Sequence, residues 1–153
     1  MDAIYKNVTQ SEPLGYYFVW TGWTYNVNDL VLVCLNDMVY ENVLHRLGLP
    51  YIKNECQHNT PFLLKRIVAI SGDEVLITND GVYINNRYYN NSKQLLQYHN
   101  INLLPQFKRR FILKKNEFFL LGDTPTSYDS RYFGVIKQSQ IYKKTLLLKG
   151  VHS

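Results

Sequence analysis

The stretch PFLLKRIVAISGDEVLITNDGVYI, Pro61–Ile84, decides the fold. Pro61–Ile70 is an apolar run of strand length, rich in Leu, Ile and Val. Ser71-Gly72-Asp73 interrupts it with turn formers. Glu74–Thr78 is a second strand. Asn79-Asp80-Gly81 then turns the chain into a third, Val82–Ile84, with Asp-Gly as a strong hairpin signal. Such short turns leave antiparallel neighbours and no room for a crossover helix.

The pattern extends in both directions. Tyr16–Trp20, Asp29–Leu35, Phe111–Leu113, Glu117–Leu121, Phe133–Ile136 and Ile141–Leu148 read as further strands. One segment, Asn36–Leu47, reads as a helix. Asn36 or Asp37 caps it, Met38, Val39, Val43, Leu44 and Leu47 recur at helical spacing, and Gly48 and Pro50 stop it. Residues 86–109 are polar and rich in Asn, and read as an excursion from the main sheet. The expected fold is mainly β, a coiled antiparallel sheet or barrel with one short helical insertion at about residues 36–47.

Composition agrees. At 153 residues the chain reads as one domain with a core of its own. Thirteen Tyr and two Trp beside two Met favour β structure. The net charge of +5 permits contact with nucleic acid or anionic lipid. The densest basic runs, Lys108-Arg109-Arg110 and Lys114-Lys115, are too short for a nucleic-acid stripe, so no nucleic-acid partner is expected. No apolar run approaches the roughly 20 residues that span a bilayer.

Three places carry chemistry. Alternation in Phe62–Ile70 puts Leu63, Lys65, Ile67 and Ala69 on one face and Leu64, Arg66, Val68 and Ile70 on the other. Lys65 is then a cation among apolar side chains. It is either an edge-strand lysine that snorkels to water or a desolvated lysine poised as a general base. Ser11 lies in TQSEPLGYY, Thr9–Tyr17, where Pro13 and Gly15 fix the backbone. It is either a plain turn residue or a nucleophile whose angle of attack is held. In the second case its amide and the Thr9 hydroxyl would serve an oxyanion. LGDTPTSYDSRYFGV, Leu121–Val135, packs turn formers, hydroxyls and paired charges between two apolar runs, more than a surface loop needs.

Ser11-Glu-Pro-Leu-Gly-Tyr-Tyr, Leu64-Lys-Arg-Ile-Val-Ala-Ile-Ser-Gly-Asp-Glu-Val75 and Leu121-Gly-Asp-Thr-Pro-Thr-Ser-Tyr-Asp-Ser-Arg-Tyr-Phe-Gly134 occur in that order. Together they resemble the three signature boxes of the type I signal peptidases, the Ser–Lys serine proteases. The short Gly122–Ser127 spacing is closer to the TraF-like pilin-maturation peptidases of conjugative transfer than to general leader peptidases, which are the alternative. The resemblance implies Ser11 as nucleophile, Lys65 as base, Ser127 as the group orienting the lysine, and Thr9 with the Ser11 amide as oxyanion donors. It implies an Asp129–Arg131 ion pair, with Arg66 as a candidate third member, and Asp123 and Ser130 as supports. Thr124 departs from the family's usual Asn, and Ile70-Ser71-Gly72 from its Leu-Pro-Gly.

The implied activity is cleavage of a leader from an exported precursor, a conjugative pilin, after small residues at an Ala-x-Ala-like site. No cofactor or metal is required. The resemblance also implies a membrane anchor upstream of a catalytic domain over 1–153. That domain would face the periplasm from the bacterial inner membrane, with Trp20 and Trp23 either near the lipid or in core and loop. In that oxidising compartment Cys34 and Cys56 are a candidate disulfide, worth about 3 kcal/mol in the chain-entropy picture. Their spacing with His45 and His58 fits no familiar zinc pattern. The competing readings are a self-cleaving repressor domain, an inactive peptidase and a basic aromatic β-domain binding single-stranded nucleic acid.

Overall fold

A computed structural model describes residues 4–22, 24–36, 43–98, 101–103 and 109–150. Thirteen strands are described: β1 (Ile4–Asn7), β2 (Gly15–Trp20), β3 (Leu30–Val33), β4 (Leu63–Ala69), β5 (Glu74–Thr78), β6 (Gly81–Ile84), β7 (Arg87–Tyr89), β8 (Gln97–Tyr98), β9 (Ile101–Asn102), β10 (Arg109–Ile112), β11 (Glu117–Leu121), β12 (Ile136–Lys137) and β13 (Ile141–Gly150). They form an antiparallel sheet in the order β1-β2-β13-β3-β4-β11-β12, a second in the order β10-β5-β6-β7, and the hairpin β8-β9. The fold is mainly β and antiparallel, as expected.

Strand β4 lies between β3 and β11, so Lys65 is not on a sheet edge. Both faces of β4 are covered. Leu63 and Ile67 pack with Val31, Val33, Phe118, Leu120 and Ile136. Leu64 packs with Tyr17, Val19 and Leu32, and Val68 with Val75, Ile77, Val82 and Phe119 of the junction with the second sheet. Strict alternation holds only as far as Ile67. Phe119 pairs with Ala69 but Leu120 with Ile67, which leaves Val68 as the extra residue of a bulge. The bulge reverses the parity. Ala69 joins Val68 in the junction core and Ile70 packs on the Leu63 side, the opposite of the alternation read from sequence.

Three further corrections have local causes. The expected strand Phe133–Ile136 is broken up: Phe133 ends a helical turn, Ser130–Phe133, and Ile136 opens the short β12. Asp129 caps it by accepting from the Arg131 N–H, and Gly134 at φ 81° ends it. The excursion after residue 85 starts as a strand, because Asn85 and Asn86 both take positive φ and close a hairpin between Ile84 and Arg87. Strand β1, not expected, pairs with β2. Residues 37–42 of the expected helical insertion lie outside the described residues, as does Trp23. The insertion's last turn is helical, with the Leu47 N–H donating to the Val43 carbonyl at 3.0 Å. A disulfide joins Cys34 to Cys56 across the root of the insertion, with Cα atoms 5.7 Å apart. Among the described residues no helix is long and apolar enough to cross a membrane.

Candidate active site

The first box is a turn between β1 and β2, organised by Asn7. Asn7 is buried, and its Nδ2 reaches the carbonyls of Thr9, Glu12 and Pro13 at 2.9, 3.2 and 3.1 Å. Its Oδ1 accepts from the Thr9 amide and hydroxyl at 3.1 and 3.0 Å. The Tyr17 hydroxyl adds a bond to the Pro13 carbonyl at 2.7 Å. The backbone around Ser11 is therefore fixed on both sides by side-chain bonds.

Lys65 comes up from β4 beneath this turn and is 4% exposed. Its Nζ donates to Ser11 Oγ at 2.9 Å and to Ser127 Oγ at 2.9 Å. Burial lowers its pKa from 10.5 to about 8. Asp129, Glu12 and Asp123 pull the other way, and Arg131 reinforces the drop. A neutral Nζ at that distance has a lone pair in reach of the Ser11 O–H and still an N–H for Ser127.

The third box closes the site from the other side. The Asp123 N–H donates to the Ser11 carbonyl at 2.9 Å. Gly122 passes so close to the two serines that a Cβ on it would lie 2.0 Å from Ser127 Oγ and 3.1 Å from the Ser11 Cβ, so only glycine fits. The Gly122 N–H donates to Asp129 Oδ2 at 2.9 Å, and Ser130 Oγ accepts from the Leu120 N–H at 2.9 Å. Asp129 and Arg131 form a fully buried ion pair at 2.7 Å. The Arg131 guanidinium also reaches the carbonyls of Asn91, Lys93, Pro125 and Ser127 at 2.9–3.2 Å.

Arg66 is not part of that pair. It points to the other face of β4 and grips Asp123 through Nε and Nη2 at 3.0 and 2.9 Å. Burial pushes the Asp123 carboxyl up, but the two bonds from Arg66, with Glu12 and Lys65 nearby, outweigh it and hold the group below its usual range. Thr124, at the family's Asn position, contributes its carbonyl to Ser127 and Arg131. Asp73 takes over from the missing proline of the Ser71-Gly72 turn, accepting from the Ile70 N–H at 2.9 Å.

A cleft of about 280 Å³ opens over Ser11, Lys65 and Ser127. Thr9 lies at its rim, and Leu44, Leu47, Leu49 and Leu63 form an apolar wall. Three of those leucines belong to the insertion that the disulfide closes. The geometry brings together Ser11, Lys65, Ser127 and Thr9 at the cleft, Asp129, Arg131 and Ser130 behind it, and Arg66 with Asp123 beside it. The residues that sequence reading missed are Asn7 and Glu12. Their only sequence signal is being polar beside the Ser11 turn. Among the described residues no group of His, Cys, Asp and Glu is placed to hold a metal.

The chain is similar to known proteins. Residues 5–148 match the family described as signal peptidase, peptidase S26. Two proteins of Escherichia coli, each described as plasmid transfer protein TraF, are 30% and 31% identical over 144 and 143 residues, covering 88% of this chain and 76% of each relative. A signal peptidase I from Enterococcus faecalis aligns with TM-score 0.41 and 21% identity over 79% of this chain and 96% of that one. With a match over nearly its whole length, the chain belongs to the signal peptidase family, peptidase S26, the serine peptidases that cleave leader peptides.

Proposed function

We propose that the enzyme works through a Ser11–Lys65 dyad and matures a conjugative pilin precursor. The observation that carries the dyad is the buried lysine with Nζ 2.9 Å from both Ser11 Oγ and Ser127 Oγ. Neutral Lys65 takes the Ser11 proton as Oγ attacks the scissile carbonyl. The Ser11 amide and the Thr9 hydroxyl, turned from Asn7 Oδ1, hold the oxyanion. Protonated Lys65 passes its proton to the leaving amine, and water then hydrolyses the acyl-enzyme with the lysine again as base. Ser127 keeps Nζ aimed at Ser11, the orienting part of a triad. The leucine wall of the cleft suits small apolar residues before the cut. The pilin assignment draws on the similarity to the two plasmid transfer proteins and on the short Gly122–Ser127 spacing.

The pH profile tests the base. Protonated Lys65 cannot accept the serine proton, so kcat/KM on a peptide with an Ala-x-Ala site should rise with pH through about 8. Below that point it should fall about tenfold per pH unit. A profile flat from about pH 5 to 9 would sink Lys65 as the base.

The catalytic domain is further proposed to work against the extracytoplasmic face of the inner membrane. Tyr16, Phe18 and Trp20 point outward from β2, and Ile4 and Leu146, the strand partners of Phe18, are 49% and 59% exposed. This apolar face adjoins the turn that carries Ser11 and extends over three neighbouring strands. Sedimentation with anionic vesicles is the check. Phe18→Glu should weaken binding about tenfold, since losing the burial of one such side chain costs about 1.5 kcal/mol or more. Equal binding by the variant and the unsubstituted chain would exclude this face.

A further inference from the structure

The nucleophile turn holds a buried acid that the reaction above leaves without a task. Glu12 follows Ser11 directly. Its side chain is 0% exposed, and neither carboxyl oxygen has a hydrogen-bond donor. Arg66 forms only a long ion pair with it, Nη2 lying 3.8 Å from Oε2, and is already committed to Asp123. The charged and titratable groups facing Glu12 are Asp123 from the third box, Arg66 and Lys65 from β4, Tyr17 from β2 and Tyr89 from β7.

Two ionised carboxylates sharing one arginine repel each other, and a dry carboxylate with no donor is costly. A proton on Glu12 relieves both. Its O–H then donates to the Asp123 carboxylate, and one anion faces one arginine. Burial together with that hydrogen bond raises the Glu12 carboxyl to about 8, against the pull of Arg66 and Lys65. Asp123 in turn donates its N–H to the Ser11 carbonyl at 2.9 Å. The acid and its acceptor thus both meet the nucleophile at its carbonyl, Glu12 through the peptide bond and Asp123 through its N–H.

We propose that Glu12, as a neutral carboxylic acid hydrogen-bonded to Asp123, is a positioning residue that fixes the Ser11 turn and keeps a further negative charge away from Lys65. This rests on the Ser–Lys reading above. Ionised Glu12 would repel the Asp123 carboxylate and loosen the Ser11 turn even where Lys65 is neutral. Activity should therefore decline again once Glu12 loses its proton.

Two variants and two measurements test it. Glu12→Gln keeps shape, neutrality and an N–H for Asp123. Glu12→Leu keeps only bulk. With Gln, the acid limb of the kcat/KM profile should move to lower pH by on the order of half a unit, and the alkaline decline should disappear. With Leu, kcat should fall about tenfold or more at every pH. A Gln profile that overlays the original, or a Gln variant as impaired as Leu, overturns the proposal.

The second measurement needs no activity. Between pH 4.5, the ordinary value, and about 8, the unfolded chain releases the Glu12 proton while the folded chain keeps it. Glu12 therefore contributes most stability below pH 4.5 and loses it as pH rises to about 8. The melting temperature of Glu12→Gln relative to the original should climb across that window and then level. A constant difference means Glu12 is ionised in the fold and overturns the proposal, whatever becomes of the Ser–Lys reading. That reading fails separately, if cleavage survives loss of Ser11 or Lys65.

Discussion

Ser11→Ala and Lys65→Met are each expected to lower kcat by a factor between about 10⁴ and 10⁶, with the fold intact. Removing either member should cost about as much as removing both, because the proton transfer and the attack are one event. The two should differ in stability. Ser11 is partly exposed and its loss changes little. Lys65 is buried, and its pKa of about 8 against 10.5 means the fold disfavours its ammonium. Because the folded value is the lower one, this penalty is full below pH 8 and vanishes above 10.5. At pH 7 it amounts to about 3 kcal/mol. Methionine fills the same space without a charge, so Lys65→Met should recover much of that figure in a urea melt. A dead enzyme more stable than its parent marks a side chain kept for chemistry. Cleavage of an Ala-x-Ala peptide by either variant at more than about one hundredth of the original rate would exclude the dyad.

What the sequence made legible follows from where local signals reach. Glu117–Leu121 matches its strand, and the Asp80-Gly81 hairpin forms, because neighbours in sequence decide them. Lys65 and Ser11 each stand out locally as one of two readings, but they join with Ser127 into one site only as an ordered trio resembling a family, since no period or spacing links residues so far apart. Asn7 and Glu12 were not visible. Asn7 matters because β1 pairs with β2 and sets it opposite Gly15, a long-range fact that a polar N-terminal segment does not announce. Glu12 looks like any surface acid until Asp123 and the second face of β4 close over it. The Val68 bulge escaped because an apolar run buried on both sides carries no alternation to break. Phe133–Ile136 reads as a strand from sequence because its apolar residues carry no sign of the cap and stop that Asp129 and Gly134 supply to the helical turn Ser130–Phe133.

The largest effect on stability is expected at Arg131. Asp129 and Arg131 are both 0% exposed. Arg131 fastens Asp129 through Nε and Nη2 at 2.8 and 2.7 Å and spends its remaining donors on backbone carbonyls. Those carbonyls belong to two segments, 91–93 and 124–127, so this one guanidinium ties the first segment to the third box and braces the part of that box that carries Ser127. Arg131→Met leaves a buried carboxylate held only by the Gly122 and residue-131 amides, and it strips several carbonyls of their donor. Breaking such a pair costs about 3–5 kcal/mol, which is much of the total stability of a domain this size. Arg131→Lys restores the charge but not the fork, and should recover only part. Urea melts at low and high salt separate this from a surface pair. A dry pair is barely screened, so the loss should be the same at about 0.05 and 0.5 M salt, whereas an exposed pair contributes under about 1 kcal/mol and fades. The double variant Asp129→Asn with Arg131→Met should be less unstable than Arg131→Met alone, because it no longer buries an unpaired charge. If the two changes simply add, the ion pair is not what holds the third box in place.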